Sequence, residues 1–416
     1  MKKARKHPEV LAPAGTPEKL RVAIDYGADA VYIGGDAYGL RSRAGNFSFA
    51  EMAEGAAYAH AHQAKVYVAA NIIAHEQNLP GAGTFYRQVR DAGVDAVIVS
   101  DPALIETAIT EAPGLKVHLS TQASAANYET LNFWQQEGLE RVVLAREVSL
   151  AEIKEMRRHT DIQIEAFVHG AMCIGYSGRC VLSNHLSHRD ANRGGCAQNC
   201  RWKYDLFDLP IAGQKRNLLG HGPDGKVEKF SMSAVDMSML EHLPDLIDAG
   251  VDSLKIEGRM KTVHYVSTVA NVYSTAVRAY CADPEHYQLD PAWVDELWKV
   301  AQRELSSGFY YGQPDEHFQL FGKRRRRPRY AFIGEVKDYN PQTQEVLVQQ
   351  RNNFGVGDQI EFYGPNFTHH TQVVNDLYND DNEKIERAPH AMQLVHFHCD
   401  QPVHTGDFVR AYGSPA

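Results

Sequence analysis

Cysteine is scarce in this chain, six in 416 residues. That is too few for a disulfide framework, and a chain of this length buries a full core without such staples. Long hydrophobic runs are lacking too: no stretch approaches the roughly 18 consecutive apolar residues of a membrane span. The opening MKKARKHPEVLAPAG is basic with no apolar segment behind it, unlike a secretory signal. The expected setting is therefore the cytoplasm, with reduced thiols and no membrane partner. Hydrolase signatures are missing as well. AHEQNL (74–79) lacks the second histidine of H-E-x-x-H, and no G-x-S-x-G elbow occurs. Nor is there an excess of positive charge. The net charge of −9 argues against a surface that binds nucleic acid everywhere, yet leaves room for a local patch, and GKRRRRPRY (322–330) is one.

What is present is a recurring unit. YGADAVYIGG (26–35), AGVDAVIVSD (92–101) and AGVDSLKIEG (249–258) share Gly-x-Asp ahead of a short apolar run, and EGLERVVLAR (137–146) is a looser copy. Amphipathic stretches such as PEKLRVAID precede them, so the unit reads as helix, Gly C-cap, tight turn and buried strand. EVLAPA (9–14), KVYVAAN (65–71), KVHLSTQ (116–122) and IQIEAFVHG (162–170) complete eight strand candidates by residue 258. Eight such units predict an α/β fold, a TIM-type (β/α) barrel, with an open doubly wound sheet as the alternative. Beyond Tyr330 short alternating strands and turn signals take over, which predicts a small C-terminal all-β barrel. The expected division is a (β/α) barrel over 1–327, containing a long loop 170–204, and a β domain over 328–416.

Four of the six cysteines, Cys173, Cys180, Cys196 and Cys200, fall within that loop at C-x6-C-x15-C-x3-C spacing. Four thiolates are the usual ligand set of an iron–sulfur cluster. They also suit structural zinc, though zinc sites favour paired short knuckles, and only the last pair here resembles one. Buried thiols with no shared role are the third reading. Gly175, Gly178, Gly194 and Gly195 would let backbone amides approach cluster sulfurs. His185 and His188 are minor candidates for completing a zinc site.

The segment EAFVHGAMCIGYSGRCVLS (165–183) carries the signature of peptidase family U32 at Glu165, Phe167, Gly170, Ala171, Met172, Cys173, Gly178, Cys180, Leu182 and Ser183. NRGGCAQNCRWKY (192–204), LAPAGTPEKLRVAIDYGADAVYIGG and SLKIEGRMK are similar to further family blocks, so the resemblance covers most of 8–312. It implies an oxygen-independent hydroxylase with a [4Fe–4S] cluster on Cys173, Cys180, Cys196 and Cys200. The close third and fourth cysteines and the β appendage resemble the tRNA branch. That branch implies 5-hydroxyuridine formation at the wobble position, with prephenate as oxygen source and co-substrate. Ribosomal RNA hydroxylation, peptidase activity and a zinc-stabilised RNA-binding module are the alternatives. Expected partners are the tRNA anticodon loop, whose unpaired bases enter a pocket at low cost, and an electron donor or cluster-assembly proteins.

On a barrel, polar residues at the C-terminal strand ends line the reactive mouth. His169, Glu257 and Arg259 are the catalytic candidates there, His169 as a proton donor and Glu257 as an acid or base. Arg41, Arg43, Asn71, Gln122, Arg146 and Lys261 are the substrate-binding candidates, since arginine forks onto carboxylate or phosphate. Glu147 is expected to hold Arg146, and Tyr38 and Phe47 to stack a base or close an apolar edge. Arg324, Arg325, Arg326 and Arg327 read as a phosphate clamp, against the plainer reading of a solvated hinge.

Overall fold

The computed structural model describes residues 7–40, 45–204, 231–315, 318 and 330–413. Arg41, Arg43, Arg324, Arg325, Arg326 and Arg327, and with them the division at 327/328, lie outside the described residues. Eight parallel strands form the first sheet: β1 (Glu9–Pro13), β2 (Ala30–Gly34), β3 (Lys65–Ala69), β4 (Ala96–Val99), β5 (Lys116–Leu119), β6 (Arg141–Val143), β7 (Gln163–Ala171) and β9 (Ser253–Ile256). Because β9 pairs in parallel with both β7 and β1, the sheet closes into a barrel, which excludes the open doubly wound alternative. Helices α1 (Pro17–Asp25), α2 (Phe49–Ala61), α3 (Ala82–Asp91), α4 (Pro102–Glu111), α5 (Tyr128–Gln136) and α6 (Leu150–His159) alternate with the first strands. A short α7 (Leu182–Ser187) lies in the cysteine segment, followed by α8 (Leu243–Asp248), the long α9 (Val263–Ala282) and α10 (Pro291–Val300). An additional β8 (Asp236–Ser238) runs antiparallel to the end of β7, and β10 (Leu305–Ser306) pairs with β8.

The recurring Gly-x-Asp has two separable jobs. Gly27, Gly93 and Gly250 take φ of +99°, +79° and +88°, the left-handed conformation that ends a helix without a Cβ clash. The aspartate two residues on then ties its strand to the neighbour. Asp29 accepts the Val10 N–H at 2.8 Å, Asp95 that of Val66 at 2.8 Å, and Asp252 that of Ile164 at 2.9 Å. Each bond satisfies a backbone donor at a strand start. Glu140 stands at this place in the looser copy, and there its carbonyl accepts from Gln163 N–H instead.

The barrel interior is not purely aliphatic. Arg141 reaches Glu9 at 2.6 Å and Glu165 at 3.1 Å, and Lys255 Nζ donates to Glu165 Oε1 at 2.6 Å. Burial would raise the Glu9 carboxyl, but its bonds to Arg141, Tyr67 and Ser253 outweigh that and hold it low. His118, stacked edge-on to Tyr67, is pushed well below its usual range by burial and then by Arg141 and Lys255.

The C-terminal part is antiparallel and all-β: β11 (Tyr330–Asn340), β12 (Glu345–Gln350), β13 (Phe354–Gly355), β14 (Gln359–Gly364), β15 (Thr368–Val373), β16 (Tyr378–Asn379), β17 (Arg387–Ala388), β18 (Leu394–His398) and β19 (Phe408–Tyr412). Seven strands share one sheet in the order β15-β14-β19-β11-β12-β18-β16, while β13 pairs with β17. The sheet curls until Gln372 Nε2 of β15 donates to the His398 carbonyl of β18 at 2.8 Å. It seats on the barrel through Tyr26, Val263, Tyr363 and Phe408, and Asn271 Nδ2 donates to the Gly364 carbonyl at 2.9 Å. Arg410 of β19 is fully buried between Glu296 of α10 and Glu361 of β14. Among the described residues no helix is long and apolar enough to cross a membrane.

Candidate active site

The segment after β7 folds back over the C-terminal ends of the barrel strands and roofs a cavity of about 130 Å³. Cys173, Cys180, Cys196 and Cys200 all line it, facing Tyr32, Asn71, Gln122, Arg146, Lys255, Glu257 and Arg259 from the barrel. Cys281 and Cys399 are not among the lining residues. The thiol of Cys200 is pushed up, first by burial and then by the other three cysteines, while Arg201 pulls the opposite way. An activated nucleophile needs the reverse shift.

Side chains brace the loop from both sides. Glu147 Oε1 accepts the Ser177 N–H at 2.7 Å and Glu147 Oε2 the Ser177 hydroxyl at 2.5 Å. Its partner is therefore the cysteine segment and not Arg146. Gln122 Nε2 donates to the Gly178 carbonyl at 3.2 Å, and Arg179 Nε returns to the Gln122 carbonyl. Asn192 and Cys180 exchange bonds, amide to Oδ1 at 3.3 Å and Nδ2 to carbonyl at 3.1 Å. Ser177, His188 and Gln198 hold φ of +47°, +51° and +57°, conformations that non-glycine residues adopt only when their surroundings fix them. Leu182 N–H donates to Cys180 Sγ at 3.4 Å. The glycine amides do otherwise: Gly178 bonds the Gly175 carbonyl and Gly195 that of Asp190. His185 and His188 are exposed and outside the lining.

The donor set can be tested against the metals it suits. A tetrahedral zinc site with Zn–S near 2.3 Å spaces its thiolates about 3.8 Å apart. Among the described residues, the one trio of ligand atoms within 4.8 Å of one another is Glu296, Glu361 and His369, far from this loop in sequence. Four thiols around one cavity, with an amide aimed at one sulfur, are a donor set that suits an iron–sulfur cluster and zinc alike.

The barrel side of the cavity is cationic. The Arg146 guanidinium lies 3.9 Å from the Phe167 ring centroid, and Lys255 Nζ lies 4.7 Å from that of Tyr32. Arg146 Nη2 is 3.9 Å from Glu257 Oε2, and the Tyr32 hydroxyl donates to the same oxygen at 3.4 Å. Arg259 is almost wholly buried, its Nη2 3.4 Å from Asn46 Oδ1. Gly34 makes room for it, since a Cβ there would sit 2.1 Å from Arg259 Nη1. Among the described residues, Gln122 Oε1, Arg146 Nε and Asn199 Nδ2 line this cavity as buried atoms with no hydrogen-bond partner. Buried polar atoms of this kind call for a partner, an ordered water or a polar ligand.

The predicted mouth residues thus separate. Asn71, Gln122, Arg146, Glu257 and Arg259 come together with the four cysteines. Asn71 also holds the mouth, its Oδ1 accepting from Leu40 N–H and its Nδ2 donating to Ser120. His169 and Lys261 are not among the lining residues. A bulge between Phe167 and His169 breaks the two-residue alternation, so Phe167 faces the cavity while His169 packs against Tyr265 and Tyr273. Burial there pushes His169 down to about 4. Lys261 lies over Tyr265 with Nζ 3.3 Å from Gln302 Oε1, and burial lowers it first, then Arg303 and Arg201. Tyr38 and Phe47 instead line a neighbouring pocket with Phe49 and Phe85. Lys255, Phe167 and Asn199 were not legible as site residues. A lysine inside an apolar strand reads as a snorkelling chain until its partner Glu165 is known.

A closed barrel with four thiols, two arginines and a lysine lining one cavity at its C-terminal mouth defines a (β/α) barrel protein with a cysteine-lined site and a β appendage. The chain belongs to peptidase family U32: the family's profile matches residues 15–319, and that of the Peptidase family U32 C-terminal domain matches 328–410. It is 47% identical over 405 residues to tRNA hydroxylation protein P1 of Bacillus subtilis, covering 97% of this chain and 95% of that protein. Against tRNA hydroxylation protein P of Escherichia coli it is 35% identical, covering 92% and 91%. Against the E. coli 23S rRNA 5-hydroxycytidine C2501 synthase it is 40% identical, covering 64% of this chain and 38% of that protein.

Proposed function

We propose that this protein is a cytoplasmic RNA hydroxylase that forms 5-hydroxyuridine at the tRNA wobble position. It uses a [4Fe–4S] cluster held by Cys173, Cys180, Cys196 and Cys200 and takes oxygen from prephenate. The observation that carries this reading is the meeting of four thiols with Arg146, Lys255 and Arg259 around one cavity. Similarity to two tRNA hydroxylation proteins over more than nine-tenths of the chain favours tRNA over ribosomal RNA, because the ribosomal enzyme is matched over 38% of its length. Four cysteines around one cavity, where a thiol peptidase needs one activated cysteine, speak against that alternative.

The cluster, when bound, supplies electron transfer, which no side chain provides. The chain's own residues do the rest. Arg146 and Arg259 fork onto the carboxylates of the co-substrate, and Lys255 adds a third cation. Glu257, beside Arg146, aligns that guanidinium and is placed to hold a proton at Oε2. The Cys-loop covers part of the cavity, with Cys196 left exposed. Formally, a C–OH bond of the donor and the C5–H bond of the base break, while a base C–OH and a donor C–H form. Two electrons pass from base to donor, and dioxygen takes no part. An electron donor and cluster-assembly proteins keep the centre loaded and poised. The test is deletion of the gene, followed by mass spectrometry of nucleosides from total tRNA. Loss of 5-hydroxyuridine and its derivatives is expected; unchanged levels, restored by no paralogue, overturn the assignment.

A further inference from the structure

The segment that roofs the cavity also exposes apolar side chains that soluble surfaces usually hide. Tyr176 is 54% exposed and Trp202 46%, and Ile174, Val181 and Leu186 are exposed with them. Ile174 lines the cavity itself, and the others lie within six residues in sequence of one of the four cysteines that line it. The same segment, 170–204, carries five Lys and Arg (Arg179, Arg189, Arg193, Arg201, Lys203) against one acid, Asp190, in a chain of net charge −9. Asp190 is itself spent on Arg193 at 3.1 Å. Aromatic planes set in a local positive field, on an otherwise acidic protein, are the two components of a single-strand nucleic-acid platform. A base that leaves its stack to enter a cavity breaks contacts with both neighbours, and aromatic faces at the entrance replace them.

We infer that this rim is the RNA-docking surface, with Trp202 and Tyr176 stacking the bases that flank the reacting one and Arg189, Arg201 and Lys203 contacting phosphates. This rests on the RNA reading above and adds a binding surface separate from the polyarginine run. It also makes one segment do both jobs: the loop that holds the cluster grips the strand, so a flanking nucleotide is positioned by the cofactor's own scaffold.

The test uses anaerobically purified full-length protein and a fluorescently labelled anticodon stem-loop. Wild type is expected to bind with a salt-dependent affinity. Trp202→Ala and Tyr176→Ala should each weaken binding about 5- to 100-fold, with iron and sulfide content unchanged. Arg201→Ala and Lys203→Ala should each lower the salt slope by about 0.7. Unchanged RNA affinity in all four variants overturns the proposal, and slower reduction by a protein electron donor in those variants would assign the rim to that protein. Failure of wild type to bind the stem-loop at all removes the RNA reading beneath it.

Discussion

Glu147 grips Ser177 at two points, the backbone N–H at 2.7 Å and the hydroxyl at 2.5 Å, and thereby fixes a left-handed residue between Cys173 and Cys180. Hydrogen bonds to a charged group contribute about 1.5–3 kcal/mol each. Glu147→Ala should therefore leave the barrel folded, by circular dichroism, but release the loop. Iron content is expected to fall at least severalfold and the remaining chromophore to bleach faster in air. A fully loaded Glu147→Ala protein would show that the loop is held by other means.

Arg146 is the cavity cation with an unpartnered buried Nε and an aromatic face beneath it. Lysine keeps the charge but neither forks nor stacks as guanidinium does. Arg146→Lys is expected to raise the KM for prephenate about tenfold or more, with cluster content unchanged. An unaltered KM would move the co-substrate to another part of the cavity.

Much of the architecture was legible because each barrel strand carries its own start signal. Gly-x-Asp names the helix end and the strand tie together, and both recur at 27–29, 93–95 and 250–252. The cysteine quartet was legible because its spacing survives as text. Features that depend on register were not. The bulge after Phe167 turns His169 out of the mouth, and nothing in IEAFVHG marks it. Glu147 seemed tied to Arg146 by adjacency, whereas its partner lies 30 residues on. β8 is three residues long, too short to show a period.

Arg410 ties the β domain to the barrel. It is fully buried, bonds Glu296 through both terminal nitrogens and reaches Glu361 through Nε at 2.8 Å. Lys299 adds contacts to Glu361 at 3.0 Å and Glu296 at 2.9 Å, so these carboxylates are already countered. Removing one partner of a buried ion pair costs about 3–5 kcal/mol where the other is left uncompensated, and Lys299 alone compensates two carboxylates only in part. Arg410→Met should show that loss in urea unfolding. A change under about 1 kcal/mol would mean that the pair is solvated in solution.

Three buried histidines predict acid sensitivity: His118, pushed well below its usual range by burial, and His169 and His264. Burial pushes His169 down to about 4, with Lys261 adding and Asp236 opposing. Burial pushes His264 down to about 3, with Arg410 and Lys299 adding and Glu361 opposing. The unfolded chain, with histidine near 6.5, binds protons that the folded one refuses. Stability is therefore complete above about pH 7 and falls as pH drops from about 6.5 toward 4 and 3, by roughly 3 kcal/mol or more per group. Glu9, Glu296 and Glu361, whose folded values are lowered, lose their contribution only below about pH 4.5. In the interval between, the lowered histidines reduce stability as pH falls, while Asp29 and Asp407, raised by burial, work the other way. His264 Nε2 has no hydrogen-bond partner among the described residues, and its ring stacks on Phe332. His264→Phe should flatten the thermal-stability profile between pH 6.5 and 4.5; an unchanged slope would contradict the assignment.

The central claim is that Cys173, Cys180, Cys196 and Cys200 hold one inorganic cluster at the barrel mouth. Anaerobic purification followed by iron, acid-labile sulfide and zinc analysis of the full chain tests it most directly. The account predicts a brown protein with about four irons and four sulfides per chain, lost on replacing any of the four cysteines by alanine and retained in Cys281→Ala and Cys399→Ala. A colourless protein holding one zinc per chain, or a cluster indifferent to those four positions, would contradict it.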